Sequence, residues 1–407
     1  MSARMDEFSR IAALRPAGGG RAGVSRSREN REPLRRMLAA ELEHDHLGRH
    51  LVLRTRIPGP GPRAVGPRAL RLLLPGAGAE AADPRNWIFL DTETTGLAGG
   101  TGTYAFLVGL ARWEDDALVT EQFFMQDHSE EPSLLAAVAR RLAGRPVLVT
   151  YNGKSFDWPL LETRYRMTRA AAPAAPAAHL DLLHPARQIW RFRLGSLALA
   201  ELERHVLGLE REGDIPSSAI PGYYFDFLRG GPAEPIGAVF RHNRMDLRGL
   251  ALLAGRVAEM LEDPERAGCE AAELYGLSRI LQRRGESSLA GAACKRALER
   301  GLPEEAERCA LRELAVHARR ARDFGRACEL WQKLVGDPRW GRLACEQLAV
   351  HYEHRARDPA QAARLVRRAL VELEESARRG SIGREQYLGW HRRLRQRLER
   401  LARKLQG

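Results

Sequence analysis

The spacing of apolar positions along this chain changes character twice. Up to residue 80 the only periodic feature is a short amphipathic pattern around residues 34–42, set in a stretch rich in Arg, Gly and Pro that includes Pro58-Gly59-Pro60-Gly61-Pro62. That composition predicts a basic, partly disordered extension over residues 1–80. From Trp87 onward short apolar runs predict strands at residues 88–92, 104–112 and 117–125. A helix follows at 132–142, then a buried strand at 147–151, a helix from 156 toward 167, and a further strand at 179–183. A long helix over residues 235–261 carries Leu247, Leu250, Leu253, Val257 and Met260 on its apolar side. After Asp263-Pro264 the strand signals stop, and Ala, Leu, Arg and Glu recur with helical periodicity to the end. The pattern therefore predicts an α/β domain over residues 81–262 and an all-α region over 263–407.

Within the all-α region comparable segments recur, with Ala290, Ala327 and Ala362 at equivalent places, 37 and 35 residues apart. This lies near the roughly 34-residue tetratricopeptide period, so a degenerate repeat of that type is expected. Such helix pairs cannot bury their apolar faces alone and must stack, and their usual use is protein recognition. The last helical stretch sets Leu394, Leu398, Leu401 and Leu405 against seven cationic side chains between Arg392 and Lys404. It reads either as a cap on the array or as a basic helix touching nucleic acid.

Composition narrows the class of protein further. No apolar run reaches the roughly 18 residues of a membrane span, and the N-terminus, with Arg4, Asp6, Glu7 and Arg10, lacks a secretory core. The N-terminal arginines and serines suggest a transit peptide only faintly, because Asp6, Glu7, Glu29 and Glu32 are acidic. A soluble, cytoplasmic protein without a membrane partner is the expectation. All five cysteines lie beyond residue 268, unpaired by any Cys-x-x-Cys spacing, which argues against a zinc knuckle or a disulfide framework. The net charge of +13 is uneven: residues 1–80 hold 15 basic and 8 acidic side chains, residues 81–262 hold 19 and 23, and residues 263–407 hold 31 and 21. An acidic middle between basic flanks fits a polyanionic substrate drawn to a cation-filled site.

The chemistry concentrates at Asp91-Thr92-Glu93-Thr94-Thr95-Gly96. Positions i and i+2 of a strand share a face, so Asp91 and Glu93 project side by side where the strand ends and a turn begins. Adjacent carboxylates repel unless a cation neutralises them. Two later segments carry matching groups, Asn152-Gly153-Lys154-Ser155-Phe156-Asp157 and His242-Asn243-Arg244-Met245-Asp246. In the latter, His242 and Asp246 stand at i and i+4 and rise from one face of the long helix.

In this order the three motifs resemble the DEDD exonucleases of the ribonuclease H-like superfamily, and most closely their YprB-like branch, whose first motif continues into a segment matched here by residues 99–104. The resemblance covers roughly residues 85–262. It implies a ribonuclease H-like mixed sheet with flanking helices, three strands followed by alternating helix and strand, and then a helical-repeat region. It also implies a 3′-to-5′ exonuclease in which Asp91, Glu93, Asp157 and Asp246 hold two Mg²⁺ or Mn²⁺ ions about 4 Å apart. His242 would take a proton from water. One departure is plain: three residues separate His242 from Asp246, the spacing of the tyrosine subclass, where the histidine subclass has four.

Around these groups, Asn152 and Phe156 are expected to position Asp157 and pack its helix, while Thr94, Thr95 and Gly96 either bring backbone amides to the terminal nucleotide or simply form the turn. Gly99-Gly100-Thr101-Gly102 is no P-loop, since no Gly-Lys-Ser or Gly-Lys-Thr follows; a tight connection near the active face is expected. Arg187, Trp190, Arg191 and Arg193 interleave cations with an aromatic ring, as strand binding requires, although packing of Trp190 serves equally. Asp181 belongs to no motif and reads as structural or as support for the site. Two other readings stay open: a non-catalytic nucleic-acid-binding scaffold whose repeats recruit a protein partner, and a structure-specific endonuclease on the same metal site.

Overall fold

A computed structural model describes residues 30–59, 61–96, 102–144 and 147–406. They divide into two units, residues 1–185 with 197–262, and residues 186–196 with 263–407. The first unit is organised by a seven-stranded mixed sheet in the order β1-β2-β5-β4-β3-β6-β7. Its strands are β1 (Glu41–Asp45), β2 (Gly48–Pro58), β3 (Trp87–Thr94), β4 (Ala105–Glu114), β5 (Ala117–Phe124), β6 (Val147–Thr150) and β7 (Ala178–Asp181). The first five form an antiparallel set, and β3, β6 and β7 run parallel. Strands buried on both faces read as unbroken apolar runs, as Trp87-Ile88-Phe89-Leu90 and Val147-Leu148-Val149 do here. The expected ribonuclease H-like α/β fold is therefore present, and helices alone follow it.

The sheet is larger than the hydropathy pattern implied. Residues 30–80 are not a loose extension: α1 (Arg31–Leu38), β1, β2 and α2 (Pro67–Leu73) belong to the first unit, and β2 pairs with β5 from Leu51 opposite Phe124 to Pro58 opposite Ala117. Their basic composition misled because several of the arginines pair with carboxylates of other elements. Arg54 on β2 bonds to Glu41, Glu43 and Glu121, with Nε 3.1 Å from Glu121, and Arg31 reaches Asp127 at 3.0 Å. Residues 1–29 of the predicted extension lie outside the described residues, as do Gly99, Gly100 and Thr101 of the glycine-rich segment.

Helices α3 (Glu131–Leu142), α4 (Asp157–Thr168), α7 (Ile220–Leu228) and α8 (Glu234–Glu262) share a core with these strands. Between α4 and α7 come α5 (Leu183–Trp190) and the single turn α6 (Leu199–Leu202). Phe106 stacks on Tyr224 with centroids 4.0 Å apart, and Phe124 meets Phe240 of α8 at 5.4 Å. Arg164 grips Glu131 through two bonds of 2.5 and 2.6 Å in a buried pair that ties α4 to α3. That pair fixes the helix whose first residue is Asp157.

The second unit continues as α9 (Ala271–Arg283), α10 (Ser287–Glu299), α11 (Glu304–Arg320), α12 (Phe324–Lys333), α13 (Gly341–His354), α14 (Pro359–Arg378) and α15 (Arg384–Gln406). The three recurring segments fall on α10, α12 and α14, and Ala290, Ala327 and Ala362 are all buried. Leu394 and Leu401 of α15 are buried too. Arg397, Arg400 and Lys404 converge on the buried carboxylate of Glu353 at 2.8, 2.7 and 3.0 Å, and Arg400 first among them holds it down to about 2. This closes α15 onto the helical array and removes three of its cations from any strand-binding role. All five cysteines are free thiols, and among the described residues no helix is long and apolar enough to cross a membrane.

One buried histidine makes acid stability testable. The His50 ring, fully buried on β2, has Nδ1 2.9 Å from Ser133 Oγ. Burial, aided by Arg140 and Arg141 against Glu43 and Asp45, pushes it down to about 4. A depressed folded value means that the stabilisation is complete above the ordinary value of about 6.5 and is lost as pH falls through about 4. His50→Gln should therefore flatten the loss of stability between pH 6.5 and 4 by on the order of 2 kcal/mol, read from urea unfolding curves at each pH.

Candidate metal centre

β3 ends in the face that carries Asp91 and Glu93, opposite Gly109 and Leu107 of β4, with a register shift between Glu93 and Thr94. Glu93 is 8% exposed. Asp157 opens α4 and accepts from the Thr92 hydroxyl at 2.5 Å. From α8 come His242 and Asp246, with His242 Nε2 3.3 Å from Asp246 Oδ2 and 4.0 Å from Glu93 Oε1. Donor atoms of Glu93, His242 and Asp246 all lie within 4.8 Å of one another, a spacing that accommodates a metal ion. Burial first, then the neighbouring carboxylates, raises Asp91 and Glu93 well above the usual carboxylate range; for Asp91 those neighbours are Asp246, Glu93 and Asp157. Burial likewise raises Asp157 to about 6, although its bonds from Thr92 oppose the shift. Four converging carboxylates with so few cations nearby fit a site for a divalent ion, which would relieve both repulsion and desolvation.

Several groups that hold this cluster escaped the sequence reading. Asn243, fully buried on α8, donates through Nδ2 to Asp91 Oδ2 at 2.7 Å. Its carbonyl accepts from Gln122 Nε2 at 2.8 Å, and the same Gln122 nitrogen donates to Phe240 O at 2.8 Å. The amide crosses β4 over Gly109, where a Cβ would stand 2.2 Å from Asn243 Oδ1. His242 Nδ1 lies 2.6 Å from Asp214 Oδ1, and Ser217 Oγ is 3.4 Å from Nε2. Arg211 bonds to Glu203 at 2.5 and 2.7 Å, to Asp214 at 3.1 Å, and to Asp246. Burial works against the Arg211 charge, yet Glu203 and Asp246 hold it above its ordinary value. Gly249 makes room for this arrangement, because a Cβ there would meet Glu203 Oε1 at 1.7 Å. The glycines and amides carried no motif, and Arg211 and Asp214 lie in a segment without periodicity.

The remaining expected residues sort by contact. Asp181, left without a motif, anchors the turn before α4: its Oδ1 accepts from Asn152 N at 2.8 Å and Leu183 N at 3.1 Å, and its Oδ2 from Lys154 N at 3.1 Å. Asn152 itself sits at φ 66°, a left-handed conformation that Asn tolerates better than most residues. Thr94 donates to Gly96 O at 2.9 Å, and the Thr95 amide donates to Tyr104 O at 3.0 Å, so both build the turn and that amide is not available to a nucleotide. Phe156 does not pack α4 as expected; it is 53% exposed beside Asp157, and Leu160, Leu161 and Tyr165 do the packing. Trp190 is fully buried with its indole N–H on Glu273 at 2.8 Å. That burial removes it from base stacking. Arg193 is paired with Glu273 at 2.6 Å and Glu270 at 3.2 Å, whereas Arg187 and Arg191 are exposed, Arg191 over the Phe192 ring at 4.4 Å. Residues 186–196 group with the C-terminal helices.

A family model described as RNase_H superfamily matches residues 88–258. Over those residues the chain is similar to that superfamily, in keeping with its ribonuclease H-like fold. The chain is also 29% identical over 295 residues to a Bacillus subtilis (strain 168) protein named "Uncharacterized protein YprB", covering 72% of this chain and 71% of the relative. The matched residues include every carboxylate of the cluster, from Asp91 on β3 to Asp246 on α8. Residues 30–58, which complete the sheet through β1 and β2, precede the match.

Gly109 gives the domain's acidic cluster a test that does not touch a charged group. Gly109→Ala should displace the Asn243 amide from Asp91 and destabilise the fold by about 1–3 kcal/mol, the usual range for an overpacked core. Urea unfolding measures the cost, and loss of the thermal stabilisation produced by added Mn²⁺ would report the disturbed carboxylates.

Proposed function

We propose that this chain is a metal-dependent nuclease that removes nucleotides from the 3′ end of a nucleic-acid strand. The observation that supports it best is the convergence of Asp91, Glu93, Asp157 and Asp246 in a ribonuclease H superfamily domain, with charge interactions linking all four. Asp91, Glu93, Asp157 and Asp246 would hold two divalent cations, and Mg²⁺ or Mn²⁺ suits an all-oxygen set. When bound, such ions supply an activated water at neutral pH and stabilisation of the leaving oxygen.

The chain's own side chains prepare that chemistry. Asp214 accepts from the Nδ1–H of His242, which sets the tautomer and leaves Nε2 facing the carboxylates. A proton taken from water would come to Nε2, and the Asp214 carboxylate would stabilise the resulting imidazolium. Asn243 orients Asp91 by donating to one carboxylate oxygen. The exposed Phe156 ring, next to Asp157, offers a stacking surface to a base. The paired helices from Ala271 onward are read as tetratricopeptide-like and serve a protein partner.

A second reading has its own observation. Because His242 shares a 4.8 Å donor set with Glu93 and Asp246, it would serve as an imidazole ligand, and His242→Gln would then weaken metal binding as well as slow the reaction. An endonuclease on the same site differs only in accepting circular or end-blocked strands, and a non-catalytic scaffold would bind strands without cutting them.

The deciding experiment follows 3′- and 5′-labelled single-stranded DNA and RNA with Mg²⁺, Mn²⁺ or EDTA. Stepwise loss from the 3′ end that requires metal and disappears in Asp91→Ala is expected; cleavage retained by that variant would overturn the assignment. His242→Ala should lower the rate by about 10²- to 10⁴-fold with metal affinity, read by calorimetry, unchanged if the histidine acts on water alone.

A further inference from the structure

Helices α9, α10 and α11 line a half-open cavity of about 340 Å³ within the C-terminal unit. Four guanidinium groups line it, Arg279 and Arg283 from α9 and Arg312 and Arg320 from α11, against one carboxylate, Glu313. Burial raises the Glu313 carboxylate above its ordinary value, and Tyr275, Arg279 and Arg312 oppose that shift. None of the four arginines has a carboxylate oxygen within 4.0 Å among the described residues. Some other arginines of this unit are neutralised in place, as at Glu353 and Glu273.

Two of the donors are sequestered from water and still lack an acceptor: Arg279 Nη1 and Arg312 Nε. A buried N–H without a partner is disfavoured, and here two from facing helices line one cavity. The Arg312 guanidinium is 4.6 Å from the centre of the Trp340 ring, a stacking that fixes its plane without using its hydrogen-bonding edge. On the third wall Gly291 supplies space, since a Cβ there would crowd the His317 ring at 3.3 Å, and His317 is held by Ser287 O at 2.9 Å. Planar forks that are charged, orientated and unpaired match the oxygens of a phosphate group. The volume suits a small ligand rather than a long segment of chain.

We propose that this cavity is an anion site for a phosphomonoester, whether a free mononucleotide or the phosphorylated end of a strand. The site is separate from the acidic cluster and stands whether or not that cluster hydrolyses nucleic acid. Calorimetric titration of the full chain in EDTA, which keeps divalent ions out of the acidic cluster, tests it with AMP, inorganic phosphate, a 5′-phosphorylated trinucleotide and a hexaglutamate peptide. AMP should bind, inorganic phosphate should compete with it, and the trinucleotide arm tells a free nucleotide from a strand end. Arg283→Gln with Arg320→Gln, both exposed, and separately Arg312→Gln should each weaken AMP binding at least tenfold, while Asp91→Ala should leave it unchanged. No heat with AMP at millimolar concentration, equal affinity in the exposed double variant, or tighter binding of hexaglutamate than of AMP would each overturn the assignment.

Discussion

The hydrogen bond from Asn243 to Asp91 is the contact on which the acidic site depends. Asp91 is carried by the sheet and Asp246 by α8, so the separation of the two is set by how closely the helix approaches β3 and β4. The side-chain amide fixes that approach, because it spans Gly109 and is itself held by Gln122 of β5. Three strands and one helix thus meet at a polar junction beside the apolar core that holds Phe106, Phe124 and Phe240. A neutral amide suits this junction better than a cation would. It directs one carboxylate oxygen without discharging the repulsion that makes the cluster attractive to a metal ion.

Charge at the other side of the cluster is balanced differently. Arg211 joins Glu203, Asp214 and Asp246, and Asp214 in turn holds His242. The same guanidinium therefore touches one carboxylate of the cluster and, through Asp214, the imidazole beside it. Gly109 and Gly249 have the same role on the two sides, each leaving the volume that a polar side chain from another element fills. Neither glycine has a positive φ, so close approach and not backbone conformation accounts for the absence of a side chain at each.

Much of this was legible from the order of residues. The strands from β3 onward, the long helix α8 and the three acidic motifs follow from period and spacing, which are local properties. The supporting groups were not, because Asn243, Gln122, Arg211 and Asp214 acquire meaning only when distant segments meet. Trp190 and Phe156 exchanged their expected places for the same reason: an aromatic ring beside arginines resembles a stacking platform until the buried Glu273 takes its N–H, and a ring inside a motif looks buried until the helix turns it outward. Residues 30–80 misled through composition. Net positive charge and proline suggest disorder when counted, yet Arg31 and Arg54 are countered one by one by carboxylates up to 100 residues away in sequence.

The pairing of β2 with β5 has a practical consequence for dissecting the molecule. A fragment beginning at residue 81 would retain every carboxylate of the acidic cluster and all of the matched residues, yet it would leave the backbone of β5 from Ala117 to Phe124 without its neighbour. An unpaired, apolar strand of that length is a template for association with other chains. Self-assembly of such a fragment would reflect a missing seam in the sheet rather than the native architecture, and domain boundaries drawn from the acidic motifs alone would create it.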